Sequence, residues 1–264
     1  MIIIIVDYNF GNMIIIIVEY NYNKMTSEIK ENRRTYGNGW IWFLLIIVIL
    51  AGVGVGLAIG LKDNDKTVTS NLNGFTVEYQ NGSLVSNFGS YLEQATSFWN
   101  NILNEPSSIK IEVKQETISS NILARARPFS STDLKGGGII YFNTNANYHD
   151  WEFVTKHELG HIFGIGSNQK WNNNIFQVSG QYYLSQLGFP ETYQIYTDQF
   201  QGTAVGTPIG DARGHFDEDI FDTELMTPIA EAEGINQPVT LLTLTALKEM
   251  GWNNIDLSQA EPFN

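Results

Sequence analysis

The pattern of apolar and polar positions changes character along the chain. At the start, MIIIIVDYNFGN is followed directly by MIIIIVEYNYNK, a near-duplication of twelve residues. Each copy holds a β-branched apolar run, residues 2–6 and 14–18, too short to cross a bilayer, so the pair predicts a hairpin turning near Gly11-Asn12. Met13 and Met25 are alternative starts, and residues 26–39 read as a polar linker that completes an N-terminal segment, 1–39. Residues 40–61 then run for 22 positions without a charged or strongly polar side chain. As a helix that run is about 33 Å long, against about 30 Å of bilayer hydrocarbon.

Beyond residue 61 the pattern becomes that of a folded domain. A spacer, 62–85, contains an alternating stretch at Phe75–Gln80. From Asn87 the positions Phe88, Tyr91, Leu92, Ala95, Phe98, Trp99, Ile102 and Leu103 follow helical spacing until Glu105-Pro106. Ile109, Ile111 and Val113 alternate with polar residues, and three glycines, Gly136 to Gly138, lead into a further strand at 139–143. Residues 164–215 are rich in Asn, Gln and Gly, with a short helix expected around 179–187. A last helix, about 240–250, follows Pro238 and is closed by Gly251.

Charge sharpens this division. Of 264 residues, 1–61 carry four basic and four acidic side chains, so the net −13 belongs entirely to 62–264. Lys24, Lys30, Arg33 and Arg34 precede the apolar run, whereas Lys62 and Lys66 follow it amid Asp63 and Asp65. The positive-inside rule makes residues 40–61 a signal anchor, with the N-terminus cytoplasmic and the domain extracellular or lumenal. A cleaved signal peptide is the competing reading, but its apolar region is ordinarily shorter and nearer the start. Gly52, Gly56 and Gly60 give that helix a small-residue face suited to weak self-association. The acidic balance disfavours a nucleic-acid partner. The absence of cysteine excludes disulfides, thiolate metal sites and a cysteine nucleophile.

The chain has four histidines, all between His149 and His215. After Asp150, a candidate N-cap, comes WEFVTKHELGHIFGIG, in which His157, Glu158 and His161 form H-E-x-x-H. A spacing of four puts both imidazoles on one helix face, able to share a zinc ion, with Glu158 placed as general base toward water on that ion. A chance His pair on a surface helix is the competing reading, but it leaves Gly164 and the flanking Trp151, Val154, Ile162 and Phe163 unexplained. A catalytic zinc site ordinarily has three protein ligands and one open position. In the compact pattern H-E-x-x-H-x-x-G-x-x-H the third would fall at 167, which is Ser167. His149, His215 and a downstream carboxylate remain, with His149 better suited to capping the helix. The acidic run Asp217, Glu218, Asp219, Asp222 and Glu224 lacks EF-hand spacing and reads as a solvated face, with Glu224 a candidate to support the ligands.

His215 stands in GHFDEDIFDTELMTP, eleven residues before Met226. With H-E-x-x-H and Gly164, this resembles the leishmanolysin-type metzincins, in which a long insertion separates the glycine from the third histidine and ELM-x-[PG] supplies a Met-turn. The tail LLTLTALKEMGWNNIDLSQAEPF is similar to that family's closing helix and turn. The likeness spans residues 86–264 and is closest to cysteine-free bacterial-type members. It implies His157, His161 and His215 as ligands of one catalytic Zn2+, Glu158 as base, Gly164 as the helix-ending turn and Met226 as the Met-turn. It also implies an α+β metzincin-type fold, with a twisted sheet and two helices above, an irregular or helical lower part, and zinc in the cleft between them. Residues 164–215 would line that cleft. The expectation is thus a membrane-anchored zinc endopeptidase acting on peptides or proteins. The alternatives are a catalytically silent attachment protein on the same fold and a zinc hydrolase of non-peptide substrates.

Overall fold

The computed structural model describes residues 67–80, 88–104, 108–118, 121–146, 150–210, 212–232 and 234–263, together with the backbone of 2–9 and 12–19. The chain divides into two units, Met1–Lys62 and Asp63–Asn264. In the first, β1 (Ile2–Asn9) pairs antiparallel with β2 (Asn12–Glu19), with Asn9 opposite Asn12. This is the hairpin that the duplicated apolar runs favour.

The expected architecture, with a transmembrane helix ahead of a domain whose lower part is largely irregular, is corrected here. The second unit is an α+β assembly of two sheets and six helices, and no helix among the described residues is long and apolar enough to cross a membrane. Residues 40–61 themselves, with Gly52, Gly56 and Gly60, lie outside the described residues.

The larger sheet contains β3 (Thr67–Leu72), β4 (Phe75–Gln80), β5 (Ile109–Glu116), β6 (Ala124–Pro128) and β7 (Gly138–Asn143), in the order β3-β4-β5-β7-β6. β4, β5 and β7 run parallel, and the outer strands β3 and β6 are antiparallel to their neighbours. The parallel pair β4 and β5 is joined through α1 (Phe88–Leu103), because parallel neighbours need a crossover connection. The helical periodicity of α1 buries Leu92, Ala95, Trp99, Ile102 and Leu103. The alternation in β5 buries Ile109, Ile111 and Val113. α2 (Trp151–Ile162) packs against α1, β6 and β7. Two indoles hold this layer: Trp99 Nε1 donates to the Lys156 carbonyl at 2.9 Å, and Trp252 Nε1 donates to the Phe163 carbonyl at 2.8 Å. Phe163 lies edge-on to both indoles.

The segment after α2 is folded, and not as the helix expected at 179–187. α3 (Gln169–Asn173) is followed by β8 (Ile175–Val178) and β9 (Gln181–Ser185), a hairpin turning through Ser179 and Gly180, both at positive φ. That two-residue turn sets register 178↔181 and leaves room only for strands. α4 (Pro190–Gln199) leads to β10 (Gly206–Ile209), which adds to β9 and completes a three-stranded antiparallel sheet. Trp171, Phe189, Tyr196, Phe216 and Phe221 fill the core beneath it. α5 (Glu218–Phe221) and α6 (Leu241–Met250) complete the helices, with α6 packed on α4. Thr240, expected as the first helical residue, is instead the cap of α6, and Gly251 ends the helix as the sequence indicated.

Candidate metal centre

α2 carries the H-E-x-x-H motif on a capped helix with one face buried. Asp150 caps it, accepting from Phe153 N at 3.0 Å, and Trp151, Val154, Leu159 and Ile162 are buried. The helix closes at Phe163, and Gly164 follows with φ 129°, a backbone that L side chains rarely adopt. The chain then doubles back, so that Ile165 O faces the helix it has just left. Ser167, at the position where the compact pattern would have a ligand, instead donates to His161 O at 2.5 Å.

The third histidine arrives through the insert. β10 ends at Ile209, which bridges to Phe216, and Gly210 N donates to His215 O at 3.1 Å. Trp171 Nε1 donates to Arg213 O at 2.9 Å and holds this turn onto the insert's core. Gly214 lies directly against Gly166. The result is that the Nε2 atoms of His157, His161 and His215 form a nearly equilateral triangle with edges of 3.0–3.1 Å. His149 lies outside the described residues.

The other ring nitrogens show how this triangle is wired. His157 Nδ1 meets Leu225 O at 2.7 Å and His161 Nδ1 meets Ile165 O at 2.9 Å. A carbonyl only accepts, so both rings carry their proton on Nδ1 and turn a bare Nε2 lone pair inward. His215 Nδ1 is buried and meets no hydrogen-bond partner among the described residues. Burial drives the His157 imidazole down to about 3, helped by the neighbouring His161, and depresses His161 and His215 as well. Burial thus favours the neutral form of all three rings, and the Nε2 lone pairs of His157 and His161 converge with His215 Nε2 on one point. The triad can hold a metal ion. His161 and His215 remain partly exposed, which leaves the site a solvent-facing side.

Glu158 is 5% exposed, and its Oε2 is buried without a hydrogen-bond partner among the described residues. Burial alone pushes its carboxyl up to about 8. Met226 is fully buried, and its Sδ would be 2.4 Å from a Cβ on Gly160, the helix position between the two histidines. Met226 thus packs into a notch that only glycine provides.

Sequence reasoning overlooked Gly160 and Gly166, although both lie inside the quoted motif. It also overlooked the carbonyls of Leu225 and Ile165, which leave no side-chain signal. Glu224 does not belong to a solvated face: it is 0% exposed, and burial raises its carboxyl to about 7 against hydrogen bonds from Thr243, Met226 and Thr240. Asp217, Glu218, Asp219 and Asp222 do keep solvent contact, with Asp217 capping α5.

No protein-family model matches the chain, and no curated protein matches it.

Proposed function

We propose that this chain is a zinc-dependent endopeptidase of the leishmanolysin-like kind, with His157, His161 and His215 as the zinc ligands and Glu158 as the general base. The observation that carries the reading is the convergence of three Nε2 atoms at 3.0–3.1 Å, two of them from the helix that also carries Glu158 with a buried, unpartnered carboxylate oxygen. Three imidazoles at Zn–N distances of about 2.0–2.1 Å in a tetrahedron stand about 3.3 Å apart, so a small adjustment seats the ion. An all-imidazole donor set suits zinc, and calcium and magnesium prefer oxygen.

A zinc ion held by His157, His161 and His215 would supply Lewis acidity, for a carbonyl and for a water near neutral pH. Glu158 receives the proton of the attacking water and returns it to the leaving amine. The orphaned Oε2 fits that task, because no competing donor holds it and a nearby cation offsets the burial that otherwise keeps the carboxyl protonated. Leu225 O and Ile165 O fix the tautomers of His157 and His161, keeping both lone pairs on the metal side. The outer edge of β6, a strand packed against α2, is unpaired among the described residues and can accept an extended peptide.

Purified protein should bind one zinc ion and cleave peptides in a library near neutral pH. Glu158→Ala should keep the zinc and lose the cleavage. Zinc-loaded wild type that cleaves no peptide would overturn the proposal.

A further inference from the structure

Glu224 is a fully buried carboxylate with no Lys or Arg partner among the described residues, an expensive residue for a position where packing alone would accept an apolar side chain. Its two oxygens are committed separately. Oε2 accepts from Met226 N at 2.6 Å. Oε1 accepts from Thr243 Oγ1 at 2.6 Å, Thr240 N at 3.2 Å and Thr240 Oγ1 at 3.3 Å. A backbone N–H faces each oxygen, so both accept, as either oxygen of a carboxyl group can. Glutamine in either flip turns its NH2 toward one of the two backbone N–H groups.

The turn that this carboxylate fastens, 224–227, is closed by Thr227 N donating to Glu224 O at 3.1 Å. It touches the metal centre at three points. Leu225 O accepts the His157 Nδ1 proton at 2.7 Å. Met226 O accepts from Phe216 N at 3.1 Å, gripping the chain one residue beyond His215. The Met226 thioether fills the notch at Gly160. Through Thr240 and Thr243, Glu224 ties all of this to the first turn of α6.

We infer that Glu224 is a positioning residue for the metal centre, fixing through the 224–227 turn both the carbonyl that orients His157 and the carbonyl that holds the segment bearing His215. The inference rests on the zinc reading given above. A residue of purely structural importance lowers stability without altering the metal-binding geometry of the molecules that remain folded. A positioning residue changes that geometry.

The test uses the full chain, stripped of metal and titrated with zinc, with the His157 ring N–H followed by NMR. In Glu224→Gln the zinc Kd should weaken about 10–100-fold, the usual range for partners behind metal ligands. The His157 ring N–H signal should exchange faster and move upfield. Thr243→Val removes one hydroxyl donor and leaves the carboxylate in place. It should shift both readouts in the same direction by a smaller factor, and it decides the matter if Glu224→Gln does not fold. Zinc affinity within twofold of wild type and an unmoved ring N–H, in whichever variant folds, would overturn the inference. If wild type binds no zinc, the zinc reading fails, and the ring N–H of the metal-free variants still decides whether Glu224 positions His157.

Discussion

Gly166 abuts Gly214 so closely that a Cβ on Gly166 would lie 2.2 Å from the Gly214 carbonyl oxygen. This contact joins the turn leaving α2 to the turn that delivers His215, and Gly166 also sits at φ 69°. Gly166→Ala therefore meets both a clash and a backbone penalty. It should destabilise the domain by about 2–4 kcal/mol and weaken zinc binding, because the backbone can relieve the clash only by moving His215 away. Urea unfolding and zinc titration of the same variant check both effects. A variant with wild-type zinc affinity would show that His215 does not depend on this contact.

His215→Ala removes one of three converging donors. Zinc affinity should fall by about 100-fold or more, beyond the range typical of outer partners, and the rise in thermal midpoint that zinc gives the wild type should largely disappear. Metal analysis and thermal melts with and without zinc measure this. Undiminished zinc content would mean that another group completes the site.

Met226 and Gly160 form a matched pair, with the sulfur lying 2.4 Å from where an alanine Cβ would be. Gly160→Ala should cost about 1–3 kcal/mol through overpacking. Met226→Ala opens a cavity and should cost about 2–5 kcal/mol. The double variant should cost clearly less than the sum, because the new methyl occupies part of the space the thioether left. Denaturant unfolding of all four proteins closes the cycle, and strict additivity would refute the contact.

The metal-free protein should be most stable near pH 6.5. Burial raises Glu158 to about 8 and Glu224 to about 7, so their contribution is whole below their ordinary value of 4.5 and is lost as pH rises through those values. The imidazoles behave in the opposite way. His157, His161 and His215 are depressed below 6.5, so their contribution is whole above that pH and is lost on acidification, as the unfolded chain binds protons the folded site refuses. Each unbalanced proton gives a slope of about 1.4 kcal/mol per pH unit. Burial also raises Glu218, which offsets part of the histidine effect at the acid end; approaching pH 6.5 the three histidines outweigh Glu158 and Glu224, and above it the carboxyls act alone. Urea unfolding across about pH 5–9 would test this. A maximum above about pH 8 would contradict the burial of Glu158 and Glu224.

Elements whose side chains carry their own periodicity were legible in the sequence. The spacing of Leu92, Ala95, Trp99 and Ile102 marked α1, the alternation of Ile109, Ile111 and Val113 marked β5, and Thr240 and Gly251 bounded α6. β6 was not legible, because ARARP alternates alanine with arginine and its apolar face is too small to register. The hairpin β8–β9 was mistaken for a helix because Tyr182, Tyr183 and Leu184 form a short unbroken run, and the deciding signal was the Ser179-Gly180 turn. Within the site, side-chain ligands could be read by spacing or resemblance. The carbonyls that orient them could not, since every residue has one and only the tertiary fold selects Leu225 and Ile165. Glu224 stood apart from the acidic run only as a candidate to support the ligands, and the burial that separates it from Asp217, Glu218, Asp219 and Asp222 is set by the tertiary fold.

The triad also bears on how a chain without cysteine is held closed. His161 and His215 are 54 residues apart in sequence and 3.0 Å apart at Nε2, and the whole three-stranded insert hangs on the loop between them. An ion bound by both is a covalent-like cross-link across that loop. By the entropy of loop closure, a permanent link of this span restrains the unfolded chain by about 4 kcal/mol. Chelation would then remove a staple as well as a reagent. Without such an ion the insert would keep its link to α2 and the packing of α4 on α6, and lose the tie at His215.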